Sequence, residues 1–254
     1  IFGIGPFPKM GVTGAAVATV LGQIFAALVA LVLLTIKEKN IRLHFRSMVP
    51  SLEILKEIFS VAIPSMITVG LSSAMSFCLN QILLAFSTTA TAVFGIWLKL
   101  QSFAFMPIYG LNNGTIPMIS YNYGARQMDR VRKTVSLALK AALVLMVILV
   151  LVFTQIPAQL LRLFSASDTM LSIGVTALRI TCLSLPFGAV TLILSSSFQA
   201  LGYSRYTLLI NLGRQLFFIV PIAWLMSLTG QLSLVWTATV IAEAMSMILS
   251  VLLN

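Results

Sequence analysis

The chain has 254 residues, of which 59% are hydrophobic and 9% are charged, and its mean hydropathy is +1.04. A soluble domain typically carries about 25% charged residues, so this composition excludes a soluble globular protein. It predicts a multi-pass membrane protein whose main partner is the lipid bilayer. The net charge of +10 is carried between apolar runs, which is typical of cytoplasmic loops and argues against nucleic acid as a partner.

Seven apolar runs follow one another along the chain. A helix needs about 20 predominantly apolar residues to cross a bilayer. Runs of this length lie at 11–36, 57–86, 92–120, 134–156, 169–201, 206–228 and 232–253. None shows the strict two-residue alternation of a half-buried strand. The predicted fold class is therefore all-α, a polytopic membrane protein with about seven transmembrane helices.

Lysine and arginine are concentrated in alternate connections between these runs. The basic connections are the first, third and fifth, with Lys37, Lys39, Arg42 and Arg46, then Arg126, Arg130, Arg132 and Lys133, then Arg205. The intervening connections at 87–92, 157–168 and 229–231 carry a single arginine, Arg162. Basic loops face the cytoplasm, so the expected location is the plasma membrane, in a bacterium the inner membrane.

The first and last apolar runs resemble each other. At an offset of 220 residues, Ala18-Thr19-Val20 falls on Ala238-Thr239-Val240 and Gln23 falls on Glu243. An offset of six helices keeps the orientation, as a parallel repeat in a transporter requires. Residues 1–36 are then the last helix of an amino-terminal lobe, 37–56 a basic cytoplasmic linker, and 57–254 a six-helix carboxyl-terminal lobe. The rest of the first lobe would precede this sequence as a partner.

Several segments resemble the multidrug and toxic compound extrusion (MATE) family. They are GPFPKMGVTGAAVATVLGQ (5–23), VAIPS (61–65), MPIYGLNNGTIPMISYNYGA (106–125), FQALGYS (198–204) and LGRQ (212–215). The resemblance implies a chain running from the sixth to the twelfth helix of a two-lobed exporter. It further implies exchange of amphipathic, often cationic compounds for H+ or Na+, with no other cofactor.

The chain departs from the family at one place. Some members carry a cation-binding acid in the helix that follows a proline like Pro64. The corresponding stretch, SMITVGLSSAMSFCLNQ (65–81), contains no acid. The coupling acid is therefore expected either in the first lobe or at Glu243.

No enzyme signature is present. The single histidine, His44, lies in a basic connection, so the membrane-embedded part offers neither a Ser–His pair nor a histidine metal site. No GxxxxGK phosphate loop occurs in the sequence. The chain is predicted not to be an enzyme and not to bind a metal.

Glu243 is the one acid predicted near the middle of the membrane. At about 1.5 Å per residue, it lies about 16 Å from the outer end of the last run. Arg214 lies at a similar depth in the preceding run, so we predict an ion pair between them, either direct or bridged by one water molecule. Charges inside a membrane mark functional sites by default. The pair is therefore a cation-coupling candidate, and the alternative is a purely structural pair.

Polar residues and prolines suggest where a transport cavity and its hinges lie. Pro107, Gly110, Gly114 and Pro117 are expected to interrupt the third helix, and discontinuous helices commonly mark transporter sites. The predicted cavity-lining residues are Tyr109, Asn112, Asn113, Asn80, Gln81 and Gln215, with helix packing as the alternative role. The predicted hinges are Pro64, Pro107, Pro117, Pro186 and Pro221.

Two functions remain open from the sequence. The first is secondary active multidrug efflux by H+ or Na+ antiport with alternating access. The alternative is a flippase for a lipid-linked precursor of the same broad superfamily. A flippase cavity would need several cations facing a pyrophosphate, and Arg214 is the one cation predicted deep enough.

Overall fold

The computed structural model describes residues 11–37 and 51–253. The described part of the chain is helical and contains no strand. Its helices are α1 (Gly11–Lys37), α2 (Leu52–Leu84), α3 (Thr88–Gly124), α4 (Met128–Gln155), α5 (Pro157–Arg162), α6 (Asp168–Thr181), α7 (Ser184–Ala200), α8 (Ser204–Leu212), α9 (Val220–Ser227) and α10 (Leu232–Leu252). A π-helical segment, Gly213–Ile219, joins α8 to α9. The all-α prediction is confirmed.

The chain divides into two compact units, 1–59 and 60–254. In the first unit, α1 has an apolar window with a mean hydropathy of 2.5 over 16–36. Large apolar side chains on this helix are exposed, among them Leu21 and Phe25. Most of the predicted linker, residues 38–50, lies outside the described residues.

Five described helices are long and apolar enough to cross a membrane. They comprise 16–36, α3, α4, the stretch 205–227 that includes the π-helical segment, and α10. The pair α6 and α7 passes as a sixth span, bent by 44° at its break. The remaining predicted run, 57–86, is helical as far as Leu84 within the 33-residue helix α2.

Helix α3 contradicts the prediction of an interrupted third helix. It runs without a break from Thr88 to Gly124 through Pro107 and Pro117. Both prolines lie on its exposed side, whereas Ile108 and Ile119 are almost fully buried. A proline removes one helix hydrogen bond, and continued packing of the opposite side keeps the helix intact. The irregular backbone lies instead between α6 and α7 and in the π-helical segment.

The core of the second unit is built around α7, which packs against α3, α4 and α10. Apolar burial drives helix association only weakly in lipid, so close packing of small residues contributes more. Ala189 of α7 and Ala142 of α4 are fully buried where such helices meet. Trp97 of α3 closes this core edge-on against Phe153, with ring centroids 6.5 Å apart.

Candidate functional site

A cavity of about 280 Å³ lies inside the second unit. Residues from α2, α3, α7, α10 and the π-helical segment line it. Its polar lining consists of Ser72, Ser76, Gln101, Ser102, Tyr109, Ser184, Gln215, Thr239, Arg214 and Glu243. The cavity therefore combines two opposite charges with a set of neutral hydrogen-bonding groups.

Arg214 and Glu243 form an ion pair at one wall of the cavity. Arg214 Nη1 lies 3.4 Å from Glu243 Oε1. The Glu243 side chain is 7% exposed and the Arg214 side chain 23% exposed, so the arginine is the partner that reaches further into open space. The predicted pair is confirmed, and its coupling role stays a prediction. The separation exceeds the 2.7–2.9 Å typical of charge-assisted hydrogen bonds, so the contact is a long one.

Three polar atoms around this pair have no partner. Among the buried side-chain atoms that the structure describes, Glu243 Oε2, Gln215 Oε1 and Arg214 Nε make no hydrogen bond. All three belong to residues that line the cavity. Buried polar groups are normally satisfied, so these two acceptors and one donor are available for hydrogen bonds to water or to a ligand.

The π-helical segment explains why Arg214 and Gln215 both face the cavity. Pro221 lies two residues beyond the segment and cannot donate a backbone hydrogen bond. Its ring also crowds the carbonyl group four residues earlier. Widening the preceding turn relieves this crowding, and π-helical turns are frequent at functional sites. Gln215 is buried at 4% exposure although it follows Arg214 directly. In the sequence, Pro221 was the signal for this irregularity.

Gly188 of α7 is a site residue that the sequence analysis missed. A Cβ atom at this position would lie 3.0 Å from Phe105 Cζ and 3.3 Å from Glu243 Oε2. Any side chain would therefore press on the carboxylate. Because the residue is glycine, the backbone of α7 approaches Glu243 closely.

Aromatic side chains supply the apolar part of the cavity wall. Phe94, Trp97, Phe105 and Tyr109, all from α3, line it. The rings of Phe105 and Tyr109 pack at 6.2 Å between centroids. Tyr109 is half-exposed and lies at the cavity as predicted, so α3 presents an aromatic face towards the ion pair.

The other predicted polar residues lie away from this cavity. Asn112 is buried and its Nδ2 donates to Ser196 Oγ at 2.8 Å, so it packs α3 against α7. Asn113, Asn80 and Gln81 are exposed and do not line it. Three steps along a helix leave Tyr109 and Asn112 about 60° apart around its axis, so Asn112 meets α7 while Tyr109 borders the cavity.

The predicted hinge prolines occupy two kinds of position. Pro64, Pro107 and Pro117 lie within continuous helices. Pro186 is in the first turn of α7, directly after the 44° bend, and Pro221 follows the π-helical segment. Irregular backbone therefore accompanies the last two, whereas a hinge motion at any of the five stays a prediction.

No resident metal centre is evident in 11–37 and 51–253, since no group of three or more His, Cys, Asp or Glu side chains there could hold a metal ion. Both cysteines, Cys78 and Cys182, are free thiols. The chemistry of the cavity consequently rests on the ion pair and its neutral neighbours.

The MatE family model matches residues 64–225, which is more than half of the chain. The chain belongs to the MatE family. A multidrug export protein MepA from Staphylococcus haemolyticus is 24% identical over 237 residues, covering 93% of this chain and 51% of the relative. MepA from Staphylococcus aureus is 27% identical over 245 residues, covering 96% and 54%. This MatE chain thus spans about half the length of the curated relatives it matches.

Solved structures agree with this family membership. An outward-facing multidrug resistance MATE transporter matches with a TM-score of 0.84 and 26% identity, covering 96% of this chain and 55% of that one. A MOP superfamily transporter from Pyrococcus furiosus, described as having a binding pocket of reverse polarity, matches with a TM-score of 0.86 and 26% identity, covering 96% and 56%. The MatE chain therefore has the fold of a membrane transporter.

Proposed function

We propose that this MatE chain forms part of a secondary active multidrug exporter, which exchanges amphipathic or cationic compounds for H+ or Na+ by alternating access. Its relatives named as multidrug export proteins support the class of activity. The proposal that this lobe couples transport to an ion rests on the Arg214–Glu243 pair. The pair lines a cavity in which two buried acceptor atoms make no hydrogen bond. A first lobe, proposed because the relatives are about twice as long as the matched region, would supply the other wall of the transport path.

Glu243 would act as the coupling group in this lobe. A proton that binds its carboxylate abolishes the negative charge and breaks the ion pair. The guanidinium of Arg214, whose side chain is 23% exposed, is then left without a counter-charge and is stabilised by hydration alone. Loss of the pair would therefore favour a conformation of the lobe in which Arg214 is more fully hydrated. With Na+ as the coupling ion, Glu243 Oε2 and Gln215 Oε1 would be candidate oxygen ligands.

The same carboxylate would also attract a cationic substrate. The aromatic wall from α3 offers apolar contact, and one acid offers the charge that a cationic amphiphile requires. A substrate cation and a coupling ion would then compete for Glu243. This competition is the elementary requirement of an exchanger.

Transport of a lipid-linked pyrophosphate receives less support. A pyrophosphate requires several cations at one site, and Arg214 is the one cation that lines the cavity. The exporter is therefore the proposal that the cavity favours.

The test is Glu243→Gln in the intact protein, reconstituted in liposomes with a fluorescent cationic dye. We expect efflux driven by a proton or sodium gradient to be lost. Any residual efflux should be independent of pH. Glu53→Gln is the matched control, because Glu53 is an exposed acid in the first turn of α2. Variants are compared after gel filtration, so that only folded protein is assayed. Wild-type efflux and pH dependence in Glu243→Gln would refute the coupling role.

A further inference from the structure

One face of α4 has the length and polarity of a phospholipid. Positions 133, 137, 140, 144, 147 and 151 recur at intervals of four and three residues, so they lie along one side of the helix. All six side chains are exposed. The face begins with Lys133 and Lys140 and is apolar from Val144 onwards.

The basic end of this face forms a shallow groove of about 480 Å³, lined by Arg132, Lys133, Ser136, Leu137 and Lys140. Within the described ranges, the ion pair of the cavity is the only salt bridge. No described carboxylate therefore forms a salt bridge with the three cations of the groove. This includes Asp129, which lies one turn earlier on α4. Three cations and a hydroxyl at the membrane boundary are complementary to an anionic phosphate group.

A second groove, of about 430 Å³, continues along the same helix. Val147 and Leu151 of α4 form one side, and Leu183, Pro186 and Phe187 form the other. Every residue that lines this groove is apolar. The second side lies at the break between α6 and α7, so an occupant of the groove contacts the bent part of that span.

The spacing of the two grooves matches half a bilayer. From Lys140 to Leu151 the helix rises about 16 Å at about 1.5 Å per residue. One leaflet of the hydrocarbon core is about 15 Å thick, half of the full core. A phosphate held near Lys140 therefore has its acyl chain beside Val147 and Leu151.

We propose that α4 carries a binding site for one anionic phospholipid. The phosphate lies in the basic groove between Arg132, Lys133 and Lys140, and an acyl chain fills the apolar groove beside Pro186. A free phosphate would use the first groove alone, whereas the apolar groove further along the same face of α4 favours a lipid. The site is independent of the transport cavity and of the proposed exchange reaction.

The experiment is native mass spectrometry of the intact protein in detergent, titrated with phosphatidylglycerol or phosphatidylcholine. Lys133→Gln/Lys140→Gln removes two charges from the groove. Each basic residue contributes about 1 kcal/mol to binding an anionic lipid surface, so we expect affinity for phosphatidylglycerol to fall about 30-fold. Arg126→Asn/Arg205→Gln is the charge-matched control, because both arginines are exposed outside the groove, and it should keep the wild-type affinity.

A second pair of variants tests the acyl-chain groove. Val147→Phe fills it and should weaken binding, whereas Ile148→Phe, on an exposed neighbour that does not line it, should not. The proposal is overturned if phosphatidylcholine binds as tightly as phosphatidylglycerol, or if the two-lysine variant matches its control. It is also overturned if millimolar inorganic phosphate displaces the lipid, since the site would then bind a free anion.

Discussion

The Arg214–Glu243 pair makes a quantitative prediction about stability. Two unit charges 3.4 Å apart attract each other by about 5 kcal/mol at an effective dielectric constant of about 20. The 23% exposure of the Arg214 side chain adds water screening and lowers this value. Removing one partner of a buried pair typically costs about 3–5 kcal/mol, so the net effect lies towards the lower end of that range.

The two single substitutions should differ in severity. Arg214→Gln leaves an almost fully buried carboxylate without its counter-charge, and Glu243 is 5% exposed. Glu243→Gln leaves a guanidinium that reaches the cavity and can be hydrated there. We therefore expect Arg214→Gln to destabilise the protein more than Glu243→Gln does.

The double substitution distinguishes the interaction between the two charges from the interactions of each charge with its surroundings. Arg214→Gln/Glu243→Gln puts two neutral amides where the charges were, and replacing both members of a buried pair is often close to neutral. We expect the double variant to be more stable than Arg214→Gln alone. Lys99→Gln is the control for loss of one exposed positive charge, with an effect within about 0.5 kcal/mol.

The assay is thermal unfolding of the intact protein in detergent, followed by tryptophan fluorescence. Trp97 and Trp236 are buried, so their emission reports loss of the core. Destabilisation by about 3 kcal/mol corresponds to a fall in Tm on the order of 10 °C. If the two single effects add to the double effect within about 0.5 kcal/mol, the two side chains are not coupled and the reasoning is refuted.

Two further substitutions test the packing around the site. Gly188→Ala should destabilise the protein by about 1–3 kcal/mol and lower dye efflux, because the new methyl group presses on Glu243. Gly110→Ala should be neutral or slightly stabilising, because a Cβ at this position has open space around it. An equal loss of stability in both variants would contradict the proposed contact with Glu243. Ser196→Ala removes the acceptor of Asn112 and should lower stability by about 0.6–2 kcal/mol; an unchanged Tm would show that this hydrogen bond contributes nothing.

Hydropathy and helix period are local properties, and the features that depend on them were predictable. The all-α fold, the positions of most spans and the membrane depth of Glu243 and Arg214 follow from run lengths and the rise per residue. Two residues at equal depth on neighbouring helices have few alternatives to pairing when both are charged. The predicted ion pair was therefore within reach of the sequence.

Which faces meet is decided by helix rotation, and the sequence carries little information about it. Asn112 and Tyr109 are three residues apart, yet one packs on Ser196 and the other lines the cavity. The interruption expected in α3 is absent along Thr88–Gly124, because the packed side holds the helix together where its exposed prolines cannot donate. A prediction from helix propensity treats each proline alone and does not include the packing that offsets its lost hydrogen bond.

The chain by itself determined that this protein is helical and apolar enough for a membrane, and that one acid lies far from both ends of an apolar helix. The tertiary structure decided that Gly188 borders the carboxylate, that a π-helical turn brings Arg214 and Gln215 to one cavity, and that two grooves align along α4. The physical reason is that composition and periodicity report on each helix separately. A site forms from side chains of several helices, and its geometry depends on kinks and rotations that only mutual packing sets.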